Sequence, residues 1–433
     1  MRTHGAHIGS RSNRSKEFHV IIFKNVRIFD GTGAPAFAGD VSVKENRIAS
    51  VTPADATEGA RYPADAEVID GEGAFLMPGL VEAHAHVTWP SSVERPVSEM
   101  HMPPEQLALT AARNARIMLD HGITSAYSAG ALSKRLEIYL AEQLESGGLV
   151  GPRFIPSSIE KEPPEGDGIP FTSGLSENQA EGPEEIRAFV KECAEFGAKS
   201  VKFMLSGESQ LKPGASFELL YGDAELKAAH EQAVESGIWL NGHAHAAEAV
   251  KLGARNGFRI LYHCTYADEE ALDLLEERKD DIFVGPAVAA FQSMLDFTPP
   301  PGMDLTAQKA DARNMIERQR ELIPELRRRG IRVLPFGDYG FPFNPHGWNV
   351  RDLDIFVKQM GFTPIDALVA ATKFGGQLMG MGDELGMIQP GYLADLVLVK
   401  GDVTQDVALL QDKSNILAVM KDGKFHKALQ AQH

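Results

Sequence analysis

The chain has 433 residues, and 43% of them are hydrophobic, which is ample for a large buried core. Its formal net charge of -17 and its pI near 5.3 disfavour nucleic acid as a partner, because a phosphate backbone would be repelled. Only two cysteines occur, which predicts a protein without a disulfide framework and a cytoplasmic location. No apolar run approaches the roughly 18 residues of a membrane span, so no membrane partner is expected.

The two ends of the chain have similar patterns. Residues 1–18 are polar and basic without an apolar h-region, which predicts a disordered tail, with a transit or engineered segment as the alternatives. Residues 19–76 contain short β-rich runs broken by Asp-Gly and Glu-Asn turns. Residues 386–427, which include "GYLADLVLVKGDV", show the same pattern of short β-rich runs separated by turns. The sequence therefore predicts one small β-sandwich domain built from both chain ends.

Residues 77–385 alternate short apolar runs with amphipathic stretches, which is typical of repeated βα units around a parallel sheet. The expected fold is therefore α/β, a (β/α)8 TIM barrel with the small β-domain attached. The predicted strands are Met77–Val87, Gly122–Ala129, Arg153–Ile159, Ser200–Leu205, Ile238–His245, Ile260–Thr265, Ile282–Val288 and Arg332–Tyr339. Asp223 is the expected N-cap of the helix after the fourth strand. Pro/Gly-rich insertions follow the third and seventh strands, where loops of a catalytic face are expected.

The first predicted barrel strand contains His84 and His86, two residues apart. A strand has a period of two, so both imidazoles point to the same side. Imidazoles at this spacing can hold one divalent metal ion, although two hydrogen-bonded core histidines are the alternative.

Lys202 lies within the apolar fourth strand, "KSVKFMLSG". Burying an unpaired charge is expensive, so such a lysine is paired, neutral or chemically altered, unless its ammonium group reaches water at the strand end. A neutral amine can take up carbon dioxide to form a carbamate, whose two oxygens can bridge two metal ions.

Four further candidates end predicted strands. His243 and His245 close the fifth strand, His263 the sixth and Asp338 the eighth. Each could be an ordinary core or turn residue, but the carboxyl ends of barrel strands supply the catalytic residues of this architecture. The shared position favours a common site.

The chain resembles the amidohydrolase superfamily of metal-dependent hydrolases. The resemblance runs from "VRIFDGTG" through "PGLVEAHAH", "HGITSAYS", "VKFM", "GHAHAAEAV", "YHCT", "GDYG" and "FTPIDALVAAT" to "VMKDG". Within the superfamily it is most similar to the imidazolonepropionase/prolidase-like branch with a carboxylated lysine, which contains zinc-dependent dipeptidases, ochratoxin hydrolase and phenylurea hydrolase.

This resemblance implies a site with two divalent metal ions, usually Zn²⁺, with Co²⁺, Mn²⁺ or Fe²⁺ as alternatives. It implies His84 and His86 on one ion, Lys202 carboxylated by carbon dioxide as the bridge, and His243 and His263 on the other. Asp338 is implied as a ligand and as the catalytic acid–base. A small-molecule substrate and a homo-oligomer are also implied.

The resemblance leaves the substrate open. Dipeptidases of this branch commonly carry a Gly-Gly-His segment, an "ATGG" stretch and "EHG", whereas this chain has "SSIEKEPPEGDG", "LSGES" and "YHC". An amide, carbamate or urea is therefore as compatible as a dipeptide. A deaminase or cyclic-amide hydrolase is disfavoured by Lys202, and a decarboxylase by the terminal β-domain. A scaffold without activity is disfavoured because the six candidate ligand positions hold usable residue types.

Several residues are expected near the substrate. By analogy with the family's "HAHG" segment, His243 is the metal ligand and His245 faces the substrate chamber as a catalytic residue, with a structural role as the alternative. Trp89, Phe291 and Tyr339 are the expected substrate contacts. Further candidates for the apolar pocket walls are Tyr262, Phe297, Phe341, Phe343 and Trp348. A structural role is expected for His346, and Cys264 is not expected to react as a thiolate because strand alternation turns it away from His263.

Overall fold

The computed structural model describes residues 20–56, 62–97, 100, 102–161, 181–209 and 212–429. The strands are β1 (Val20–Ile28), β2 (Phe37–Lys44), β3 (Arg47–Pro53), β4 (Glu67–Asp70), β5 (Phe75–Pro78), β6 (Leu80–Ala85), β7 (Ile123–Ser128), β8 (Arg153–Ile155), β9 (Ser200–Met204), β10 (Trp239–Ala246), β11 (Ile260–Tyr266), β12 (Phe283–Gly285), β13 (Arg332–Val333), β14 (Leu396–Val399), β15 (Ile416–Lys421) and β16 (Lys424–Lys427).

The helices alternate with the middle strands. They are α1 (Pro104–Asp120), α2 (Leu136–Ser146), α3 (Gly182–Phe196), α4 (Asp223–Ser236), α5 (Ala247–Arg255), α6 (Glu269–Glu277), α7 (Val288–Asp296), α8 (Thr306–Arg328), α9 (Arg351–Gln359), α10 (Pro364–Val369) and α11 (Gly375–Leu378). Short 3-10 helices occur at Ala54–Ala56, Ala215–Phe217 and Val407–Gln411, and a π-helical turn at Ala370–Phe374. Within the part of the chain that the structure describes, no helix combines the length and the apolar character needed to cross a membrane.

Both chain ends contribute to one eight-stranded sheet. Its order is β16-β15-β14-β5-β1-β2-β3, with β4 beside β1. The C-terminal strand β14 pairs antiparallel with β5, which joins the two ends of the chain. Four strand spacings of about 4.8 Å separate β1 from β16 in a flat sheet, yet the rings of Phe23 and Phe425 are 6.0 Å apart. The sheet therefore curls over its own apolar face, as a sandwich does.

The eight middle strands form the barrel. A three-stranded parallel sheet (β6-β7-β8) meets a five-stranded one (β13-β12-β11-β10-β9), and a parallel bridge between Ser157 and Ser200 connects them. Two tyrosines tie strands together across the interior: Tyr127 donates a hydrogen bond to Asn241, and Tyr262 donates one to the Ala83 carbonyl. The predicted α/β fold, with eight βα units and a sheet from both ends, is confirmed. The exact residue boundaries of the two domains stay a prediction.

The prediction of one continuous strand over Met77–Val87 is wrong, because this stretch belongs to two strands. Met77 and Pro78 belong to β5 of the terminal sheet, and the barrel begins at Leu80. Gly79 makes the change of sheet possible. A Cβ on Gly79 would lie 2.1 Å from the Thr124 hydroxyl oxygen, so this close approach of two chain segments requires glycine.

Smaller differences concern element ends. The predicted seventh strand stops at Gly285, and Val288 instead begins α7. Asp223 is the first residue of α4, after an N-cap at Gly222, and its carboxylate accepts a hydrogen bond from Asn256. The disordered tail predicted for residues 1–18 and most of the insertion after the third barrel strand lie outside the described residues.

Candidate metal centre and active site

The predicted ligands converge at the carboxyl end of the barrel. His84 and His86 come from β6 and the residue after it, Lys202 from β9, and Asp338 from the loop after β13. His243 and His245 lie on β10 and His263 on β11. This is the face on which parallel barrel strands present catalytic side chains.

His84 and His86 form the first group around Asp338. Their Nε2 atoms lie 3.1 Å and 3.5 Å from Asp338 Oδ1. His86 Nδ1 lies 3.0 Å from the Gly130 carbonyl oxygen, and since a carbonyl can only accept, Nδ1 carries the proton and Nε2 is left to bind a metal. The buried Nε2 atoms of both histidines lack a hydrogen-bond partner among the described residues, which fits metal ligands.

His243, His245, His263 and Glu208 form the second group. One ligand atom from each of the four lies within 4.8 Å of the others. His263 Nε2 is 3.7 Å from Asp338 Oδ2, the oxygen of Asp338 that does not face the first group. Asp338 therefore lies between the two groups, which is the position of a residue shared by two ions.

Lys202 is fully buried, with its ammonium nitrogen inside the barrel mouth rather than in water. Nζ lies 3.0 Å from the Ala129 carbonyl oxygen and 3.2 Å from Glu160 Oε1. It also lies 4.6 Å above the ring of Tyr262. The lysine does not extend to solvent from the strand end, so that alternative is wrong.

Burial controls the charges in this site. It lowers the pKa of His84 to about 3 and holds the pKa values of His243 and His263 well below their usual range. Burial alone would raise the pKa of Asp338, but His84, His86 and His263 outweigh it and hold that pKa well below its usual range. Neutral imidazoles and an ionised carboxylate are the forms that bind divalent metals.

His245 differs from the other histidines because both of its ring nitrogens have hydrogen-bond partners. Nδ1 lies 2.9 Å from the Thr265 hydroxyl and Nε2 lies 2.8 Å from Glu208 Oε2. Gln319 donates a hydrogen bond to the same Thr265 hydroxyl at 3.2 Å. These contacts favour a hydrogen-bonding role for His245 over a metal ligand.

Two acidic residues of the site were missed by the sequence analysis. Glu160 contacts Lys202, and Glu208 contacts His245. Each follows the end of a barrel strand, Glu160 after β8 and Glu208 after β9. An acidic residue shortly after a barrel strand was therefore the signal that could have found them.

The site opens into a pocket with about 500 Å³ of space not filled by protein atoms. Its polar lining comprises three histidines, three carboxylates and one lysine: His86, His243, His263, Glu160, Glu208, Asp338 and Lys202. The remaining wall is apolar and consists of Trp89, Met204, Ala290, Met294, Phe341 and Phe343. A mostly apolar wall with a few convergent polar groups suits a small molecule with hydrophobic groups.

Aromatic rings form a continuous stack along one wall. The ring centroids of His86 and Trp89 are 3.6 Å apart, with nearly parallel planes. Trp89 contacts Phe341 at 4.3 Å, and Phe341 stacks on Phe343 at 4.9 Å. The stack fixes the ring of His86 and places Trp89, one of the predicted substrate contacts, on the pocket surface.

The other two predicted substrate contacts lie elsewhere. Tyr339 is buried but is not among the described residues that line the pocket. Phe291 is fully buried behind the site, with its ring 5.8 Å from that of His263. Their role as substrate contacts stays a prediction, and neither side chain lines this pocket. Of the further candidates for the pocket walls, Trp348 is 41% exposed outside the pocket, and Phe297 packs against Phe343.

Uncommon backbone conformations surround the site. Positive φ angles occur at His263 (67°) and Cys264 (52°) within β11, at Ala287 (54°) after β12, and at Phe336 (82°) and Asp338 (57°) after β13. Non-glycine residues adopt this conformation at an energetic cost, and such residues cluster at functional sites. The left-handed turn at His263 and Cys264 presents the imidazole to the pocket, while burial raises the pKa of the Cys264 thiol and keeps it protonated.

Asp352 stabilises the strained loop that carries Asp338. Its buried carboxylate accepts hydrogen bonds from the backbone N–H groups of Ala289 and Phe336. The two bonds connect the beginning of α7 to the loop after β13. The hydrogen bonds of Asp352 therefore help to fix the backbone that positions Asp338, in addition to the contacts of the Asp338 side chain itself.

The different roles of the two histidines on β10 can be tested directly. We expect His243→Ala to lose bound metal and His245→Ala to retain it while losing catalytic rate or substrate affinity, because only His245 has hydrogen-bond partners at both ring nitrogens. Metal analysis by plasma mass spectrometry and steady-state kinetics would check this. Full metal content in both variants would contradict the assignment of His243.

The sequence matches the model of the amidohydrolase family over residues 75–425. Ochratoxinase from Aspergillus niger is 24% identical over 376 residues, which cover 81% of this chain and 75% of that protein.

Solved structures show the same fold. A Xaa-Pro dipeptidase with bound methionine superposes with a TM-score of 0.78 at 23% identity, over 95% of this chain and all of the other. Phenylurea hydrolase B gives a TM-score of 0.74 at 19% identity, over 94% of this chain and 96% of the other. At these identities the similarity concerns the fold alone.

Proposed function

Because this chain belongs to the amidohydrolase family, we propose that it hydrolyses a carbon–nitrogen bond of a small molecule at a centre of two divalent metal ions. The observation that carries the proposal is the position of Asp338. One of its oxygens faces His84 and His86, and the other faces His263. A carboxylate between two groups of imidazoles can serve two ions and a reacting water together.

The proposed ligands divide between the two groups. His84 and His86 hold one ion, His243 and His263 hold the other, and Asp338 contacts the centre. Zn²⁺ suits these imidazole and carboxylate ligands, and Co²⁺, Mn²⁺ and Fe²⁺ are also compatible with them. When bound, two such ions polarise a substrate carbonyl and lower the pKa of a shared water from about 15.7 to about 7.

Lys202 supplies the bridge in this proposal. After loss of a proton to water, the amine would attack the carbon of carbon dioxide and form a nitrogen–carbon bond, and a second proton released to water would leave an anionic carbamate with two oxygens. Support comes from the burial of Lys202 and from its place in the pocket lining beside His86, His243 and His263. Charge neutralisation by metal ions would compensate for burying that anion.

Asp338 acts as the acid–base in the proposed reaction. Its carboxylate accepts the proton of the attacking water and returns it to the nitrogen of the leaving group, since an unprotonated amine leaves poorly. The apolar wall formed by Trp89, Phe341 and Phe343 excludes bulk water from the bond being cleaved. Proton transfer and substrate orientation thus come from different residues.

Two other activities are less well supported. A deaminase or cyclic-amide hydrolase would typically lack the lysine of the fourth barrel strand, whereas Lys202 is present and buried beside the histidines. A Xaa-amino-acid dipeptidase shares the fold, but the fold alone does not select a substrate. A hydrolase of amides, carbamates or ureas is therefore preferred.

The proposed function can be tested on the purified chain after reconstitution with Zn²⁺ or Co²⁺ in the presence of bicarbonate. We expect two metal ions per chain, and hydrolysis of at least one class among N-acyl amino acids, dipeptides, anilides and phenylureas. Plasma mass spectrometry measures the metal, and release of the amine measures turnover. Less than one metal per chain together with no hydrolysis across the panel would contradict the proposal.

A further inference from the structure

The described residues that line the pocket carry little positive side-chain charge. Among its described lining residues, Lys202 is the only lysine or arginine, and its amine contacts Glu160. A substrate carboxylate would therefore have to be held without an ammonium or guanidinium partner other than Lys202 among these lining residues.

Glu208 places a carboxylate on the pocket wall in a fixed orientation. Its side chain is 12% exposed, and Oε2 lies 2.8 Å from His245 Nε2. The ring of His245 is fixed in turn, because it stacks on His263 at 4.5 Å and contacts the Thr265 hydroxyl. Glu208 consequently cannot withdraw easily when a negatively charged group approaches.

The contact between Glu208 and His245 defines how the two side chains are held in this structure. Both residues belong to the group whose ligand atoms lie close enough together to hold an ion. The 2.8 Å separation of Nε2 and Oε2 is instead that of a charge-assisted hydrogen bond. We therefore treat His245 as a positioning residue for the Glu208 carboxylate.

We infer that Glu208 selects against anionic substrates, and that the enzyme cleaves hydrophobic amides, ureas or carbamates with a neutral or cationic group beside the scissile bond. This inference rests on the proposed function. On this inference, dipeptides and N-acyl amino acids are poor substrates because they carry a free carboxylate. Two like charges about 6 Å apart repel strongly enough, at an effective dielectric constant of about 20, to change kcat/KM by tenfold or more.

A matched pair of substrates tests the inference. N-benzoyl-L-phenylalanine and N-benzoyl-2-phenylethylamine differ only in one carboxylate. We expect the metal-loaded wild type to prefer the neutral compound by about tenfold or more in kcat/KM, and Glu208→Gln to reduce that preference by about tenfold. Glutamine keeps an oxygen that can accept a hydrogen bond from His245, so the site geometry is preserved.

A binding measurement makes the test independent of turnover. Calorimetric titration of the metal-loaded protein would compare 3-phenylpropylammonium with 3-phenylpropanoate. In Glu208→Gln we expect the cation to bind more weakly and the anion more tightly, with unchanged metal content. Asp311→Asn is the matched control. Burial and the nearby charge of Glu208 raise the pKa of Asp311, so it lies close to Glu208, but it does not line the pocket.

The outcomes are distinguishable. The inference is overturned if Glu208→Gln loses metal, which would make Glu208 a ligand, or if neither the substrate preference nor the two affinities change. It is also overturned if Asp311→Asn changes them equally. If the wild type hydrolyses neither compound nor any member of the wider panel, the proposed function fails, while the calorimetric shifts still decide the role of Glu208.

Discussion

Replacing Asp338 with asparagine should lower kcat by about 10²–10⁴-fold while the metal content stays near that of the wild type. Asparagine fills the same space and keeps one oxygen that can face the histidines. It cannot accept a proton from the attacking water or deliver one to the leaving nitrogen. The expected loss is therefore one of proton transfer rather than of metal binding.

The measurement pairs steady-state kinetics with metal analysis of the same preparations. Asp354→Asn is a suitable control, because Asp354 lies on α9 and forms a surface ion pair with Lys358. We expect that control to keep the wild-type rate. Full activity in Asp338→Asn would exclude the acid–base role, and loss of both metal ions would show that Asp338 acts mainly as a ligand.

Lys202→Ala should lose at least one metal ion and about 10³-fold or more of kcat/KM, because a metal ion acting as a Lewis acid contributes several kcal/mol to transition-state stabilisation. Alanine leaves space where the lysine stem and its carbamate would lie. A short carboxylic acid such as propionate supplies two oxygens of the same geometry. We therefore expect millimolar propionate to restore part of both the metal content and the activity.

The carbamate itself can be observed without any substrate. Protein reconstituted in ¹³C-bicarbonate should give one carbamate ¹³C resonance in the wild type and none in Lys202→Ala. Lys161→Ala is the matched control, since Lys161 is equally buried but does not line the pocket. A wild type with two metal ions and no carbamate signal would contradict carboxylation, as would a Lys202→Ala variant that retains both ions.

Much of the site could be predicted because its chemistry follows simple positional rules. A His-x-His pair on a strand, a lysine inside an apolar strand and an aspartate at a strand end are each unusual in a core. The (β/α)8 pattern places all such strand ends on one face. Lys202, His243 and Asp338 consequently come together in the structure although more than one hundred residues separate the first from the last.

The remainder depended on local backbone geometry that no periodicity reveals. Alternation along an ideal strand cannot place Tyr339, because three consecutive positive φ angles at Phe336, Gly337 and Asp338 reorient the chain just before it. Nor could it indicate that Glu208 meets His245, since that contact depends on how the loop after β9 turns back over β10. The split at Gly79 likewise requires knowledge of the neighbouring Thr124.

The pairing of β5 with β14 has a consequence for the order in which the protein can fold during synthesis. The ribosome makes Phe75, then the whole barrel, and only then Val399, its partner in the sheet. At about 5–20 residues per second, β5 waits for tens of seconds with an unpaired edge. An open strand edge invites pairing with other chains. The edge of β5 therefore stays open to such pairing until β14 has been made and has left the ribosome.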